Sequence, residues 1–131
     1  MVKFTNMKLH FYKDELTAIF RIALSMVLAD GKVTELEMGG LRSELNRFGI
    51  RGNQIDKLLA DAKAMPASNA ISIISMLTSE EKRYVTAFLG ALMAIDGVDP
   101  AEMQLWILTS DLCGLPTMSI NEAQTIMSEL N

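Results

Sequence analysis

The chain has 131 residues, half of them apolar, with 16 acidic against 12 basic side chains and a net charge of −4. That is one domain's worth of chain with ample apolar surface for a continuous core, and three prolines with eight glycines exclude the composition of a disordered protein. Lys82-Arg83 is the only adjacent basic pair, so no basic stripe exists for nucleic acid to follow.

Residues 1–13 read as an extended N-terminal arm, with Val2, Phe4, Met7, Leu9 and Phe11 as its apolar positions. They lack the apolar core of a signal peptide, and no later apolar run approaches the length of a membrane span. Cys113 is the single cysteine, which rules out an intrachain disulfide and suggests a reducing compartment. The expectation is a cytoplasmic protein, with membrane association only through a partner.

From residue 14 helical periodicity takes over. Leu16, Ile19, Phe20, Ala23, Leu24 and Val27 recur at three- and four-residue steps, and the second half of this helix is apolar nearly all round, as a central helix should be. Further helices are predicted at 34–48, 53–65, 67–77, 79–96, 99–113 and 119–130. Gly31, Gly49 with Gly52, Pro66, Gly97 and Gly114-Leu115-Pro116 supply the breaks. The fold class is therefore all-α: one domain spanning 14–131, a bundle of about seven helices.

The chain also repeats itself. Residues 22–50 align with 88–115 at the cost of one deletion, placing Asp30-Gly31 on Asp96-Gly97, Val33 on Val98 and Glu37-Met38 on Glu102-Met103. Phe48-Gly49-Ile50 then falls on Cys113-Gly114-Leu115. Two copies with the same apolar face should pack as pseudo-symmetric helical hairpins. The two Asp-Gly turns would then meet or lie at opposite ends.

Each turn has a purely structural reading. Gly31 closes one helix in the left-handed region, Thr34 caps the next, and Thr34 with Glu37 makes a capping box stapled by Val33 and Met38. Asp99, Pro100, Glu102, Val98 and Met103 are expected to repeat this in the second copy. Thr78-x-x-Glu81 and Ser119-x-x-Glu122 are further boxes, so a glutamate at that position needs no metal to explain it.

A chemical reading stands beside it. Residues 30–37 copy the back half of a calcium-binding EF-hand loop, but Met26 and Leu28 occupy the positions where the first oxygen ligands belong. No self-sufficient loop results. A site shared between the copies would gather Asp30, Glu37, Asp96 and Glu102, and such a set selects a hard cation, Ca²⁺ or Mg²⁺.

The turns "ADGKVTELE" and "IDGVDPAE", each leading into a helix that ends "RFGI" or "LCGL", resemble those of the TerB-like tellurite-resistance family. The resemblance covers roughly residues 14–130. It implies an all-helical, pseudo-symmetric fold, a link to bacterial stress resistance, and acidic metal-binding positions that fall here on Asp30, Glu37, Asp96 and Glu102. The residue missing from the second turn puts the reach of Glu102 in question.

Enzyme chemistry has little to work with. His10 is the only histidine and sits in the arm without a spaced partner; no phosphate loop or metal-spaced histidine pair occurs. The expectation is no catalytic activity. The ten methionines, among them Met26, Met76, Met93, Met103 and Met127, read mainly as core fillers. An exposed subset would suit a protein partner, so a metal-free interaction domain is the alternative reading.

Overall fold

A computed structural model describes residues 3–6, 9–29 and 31–130. The elements run β1 (Lys3–Asn6), β2 (Leu9–Tyr12), α1 (Lys13–Val27), α2 (Glu35–Arg47) and α3 (Asn53–Ala64), then α4 (Ala67–Ser75), α5 (Ser79–Ala94), α6 (Pro100–Cys113) and α7 (Ile120–Glu129). The all-helical, single-domain expectation holds, with helix boundaries within about two residues of those predicted. Val2 and Met7 of the arm, and Asp30, lie outside the described residues.

Two helices are central. Leu16 through Phe20 are consecutively buried in α1, and Tyr84 through Gly90 in α5. A helix covered on one side only would expose part of every turn. Accordingly α1 packs against α3 and α4, α5 against α7, and α6 touches α1, α4 and α5. Trp106 of α6 is buried, its indole Nε1 donating to the Thr86 carbonyl at 3.3 Å. A Cβ on Gly90 would fall 3.0 Å from the Trp106 ring and 2.8 Å from Ala123 of α7, so three helices converge on that glycine.

The extended arm is an antiparallel hairpin pairing Lys3 with Tyr12 and Phe4 with Phe11. Alternation sends Leu9 and Phe11 inward and His10 outward, where its Nδ1 lies 2.9 Å from Thr5 Oγ1. Phe11 is fully buried, its ring centroid 5.7 Å from those of Phe48 and Tyr84; Tyr84 stacks on Phe88 at 6.1 Å and Phe88 meets Phe20 at 5.3 Å. One aromatic chain thus ties the hairpin to α1, α2 and α5.

The sequence repeat is visible in the local structure. Gly31 and Gly97 take φ of 96° and 85°, opening the two inter-helix turns. Gly49 and Gly114 likewise have positive φ, and the next residue reaches back to the last turn: Ile50 N to Leu45 O at 3.1 Å, Leu115 N to Ser110 O at 2.8 Å. Phe48, Ile50, Cys113 and Leu115 are all buried, as their alignment requires. Among the described residues, no helix is long and apolar enough to cross a membrane.

Candidate metal centre

The first turn is fixed by a reciprocal cap. Thr34 Oγ1 accepts from Glu37 N at 3.1 Å, and Glu37 Oε1 accepts from Thr34 N at 3.0 Å. The second turn is built differently. Asp99 caps α6 by accepting from Ala101 N at 2.8 Å and Glu102 N at 3.4 Å, with Pro100 in the first turn. No reciprocal box with Glu102 forms at α6, contrary to expectation. The cap at α6 is instead made by the Asp99 carboxylate, whose Oδ1 takes the second and third helical N–H groups. Val98, expected to staple this turn, is exposed, whereas Val33 packs against the core.

The two turns meet. Thr34, Glu37, Asp96, Val98, Asp99 and Glu102 line a single cavity of about 260 Å³ between the start of α2 and the α5–α6 connection. Glu37 is 3% exposed and Glu102 2%, while Asp96 is at the surface. The structure therefore gathers three of the four carboxylates named from sequence; Asp30 lies outside the described residues. Asp99, read from sequence only as a cap, is a fourth carboxylate at the cavity. Among the described residues no basic side chain lines it.

These donors suit a hard cation in kind, being carboxylate oxygens with a threonine hydroxyl. Among the described residues, however, no group of three or more aspartate, glutamate, histidine or cysteine side chains stands close enough to hold an ion ready-made.

A second polar cluster escaped the sequence reading. Glu44 of α2 is 3% exposed; its Oε2 accepts from the Tyr84 hydroxyl at 2.5 Å and its Oε1 from Arg47 at 3.0 Å. Burial first, then the charge and hydrogen bond of Glu44, hold the Tyr84 phenol well above its ordinary 10.0, with Arg47 pulling the other way. The available signal was position: Glu44 shares a helical face with Leu41 and Phe48. Cys113 is buried as expected, and burial raises its thiol while Lys82 opposes the shift. Of the five methionines expected within helices as core fillers, Met26, Met93 and Met127 are buried and Met103 is partly so, but Met76 lies just past the end of α4 and is 84% exposed.

The crystal structure of a Porphyromonas gingivalis protein of unknown function is 44% identical in sequence, covers 90% of each chain, and superposes with a TM-score of 0.80. The two chains belong to one family. No family model and no curated protein matches the chain.

Proposed function

We propose that the chain is a non-catalytic, TerB-like stress-response module that binds a divalent cation, Ca²⁺ or Mg²⁺, at its paired acidic turns. The observation that supports this is the convergence of both turns on one cavity edged by Glu37, Asp96, Asp99 and Glu102, with two of these carboxylates buried. Burying like charges together is costly, and a cation relieves that cost. Because no ready-made chelate exists among the described residues, binding must draw ligands together and is weak, in the millimolar class. Thermal unfolding with and without millimolar CaCl₂ or MgCl₂ tests the reading. The melting temperature rises with metal in the wild type and not in Asp30→Ala/Asp96→Ala. An unchanged wild-type curve removes the cation.

A metal-free interaction domain is the second reading, favoured by the surface. Ile107, Leu108 and Leu112 are each more than half exposed on α6, and Leu28, Leu36, Ile95 and Val98 are exposed near the two turns. Such a set suits a protein partner. Binding of an environment-sensitive apolar dye to the native protein, lost in Leu108→Ser/Leu112→Ser, supports this reading; no dye binding counts against it.

A further inference from the structure

We propose that the chain carries a binding site for a small carboxylate with an apolar body, set between the N-terminal hairpin and α3 and separate from the acidic turns. A cavity of about 210 Å³ lies there, lined by Phe4, Lys13, Ile50, Gln54, Lys57 and Leu58. Its composition is layered by chemistry. Ile50 and Leu58 are buried core residues that give an apolar floor, and Phe4 of β1, partly buried against the core, adds an aromatic wall. The polar residues of the lining are Lys13, Lys57 and Gln54.

No carboxylate lines the cavity among the described residues, although the protein as a whole is acidic. Lys13 pairs with Asp61, Nζ to Oδ2 at 3.0 Å, but the two side chains are 52% and 43% exposed, so the pair holds loosely and leaves donors to share. Gln54 belongs to the first turn of α3, whose N-cap, Gly52, brings no side chain to that end. That turn also carries Asp56, which is paired with Arg42, so the cationic character of the rim rests on the two lysines. An apolar floor under a cationic rim complements a negative head on a short hydrocarbon or aromatic body.

Size narrows the ligand. The space equals about seven waters' worth of volume, which suits a body of several carbons and is too small for a folded peptide segment. A medium-chain or aryl carboxylate fits this description, bound weakly because few atoms make contact.

The test is a nuclear magnetic resonance titration of the full chain with sodium octanoate, with octylammonium and 1-octanol carrying the same tail under a different head. Octanoate is expected to move the Ile50 and Leu58 methyl and Phe4 ring resonances, and the other two compounds to leave them in place. Lys57→Glu is expected to weaken octanoate binding about fivefold, the effect of one surface charge. Lys57 is exposed, so its replacement leaves the fold intact; Lys57→Gln serves should the reversed charge disturb Asp61. Equal binding of the three compounds, an unaffected Lys57 variant, or no resonance movement each overturns the proposal. None of these outcomes bears on the acidic turns, because no residue is shared between the two cavities.

Discussion

Glu37, Glu81 and Glu122 occupy the same position in three capping boxes, yet only Glu37 is buried. The box was legible in sequence because it is a local pattern of four residues. The burial was not, because the α5–α6 turn that shares the Glu37 cavity lies 59 positions further along the chain, at Asp96. The same limit hid the Glu44–Tyr84 contact, which joins residues 40 apart. That buried, charge-assisted bond should contribute about 1.5–3 kcal/mol, so Tyr84→Phe is expected to destabilise the protein by that amount in urea unfolding at neutral pH. Its pH dependence follows from the raised phenol. Below pH 10.0 both folded and unfolded states keep the proton; above it the unfolded chain ionises first, so stability falls as pH rises toward the folded value. The variant lacks this loss, and the gap between it and the wild type should narrow above that pH.

At the level of elements, most of the fold could be read ahead because each helix announces its own ends. Glycines with positive φ close α2 and α6, and Thr34, Thr78, Asp99 and Ser119 open four helices. What periodicity could not supply is how closely helices approach. Gly90 sits where α5 meets α6 and α7, and a Cβ there would lie 2.8 Å from the Ala123 methyl, which cannot swing aside. Gly90→Ala is therefore expected to cost about 1–3 kcal/mol despite the better helix propensity of alanine. Gly39, with nothing within 4 Å of its would-be Cβ, is the control: Gly39→Ala should stabilise by roughly 0.5–1 kcal/mol. Opposite signs from one chemical change, measured by the same denaturation curve, would place helix spacing above intrinsic propensity in α5. Two destabilised variants of similar size would refute that ordering.

Across the whole molecule, the N-terminal arm matters more than its sequence suggested. Extended structure was expected, but a short alternating stretch carries no sign of where its apolar side docks. Phe11 joins an aromatic chain, hinged on Tyr84, that links the hairpin to α1, the end of α2 and α5. Phe11→Ala should cost about 3–5 kcal/mol and bring the chain near its unfolding threshold, read as a fall in melting temperature. A loss below about 1 kcal/mol would mean the hairpin is an appendage rather than core. The position of Trp106 carries a separate consequence. It is the sole indole in the chain, sealed between α6 and the middle of α5. Its emission maximum is thus a single-site gauge of whether the second half stays docked, while circular dichroism sums over every helix. Coincident transitions from the two signals would mean that both halves of this duplicated chain melt as one cooperative body.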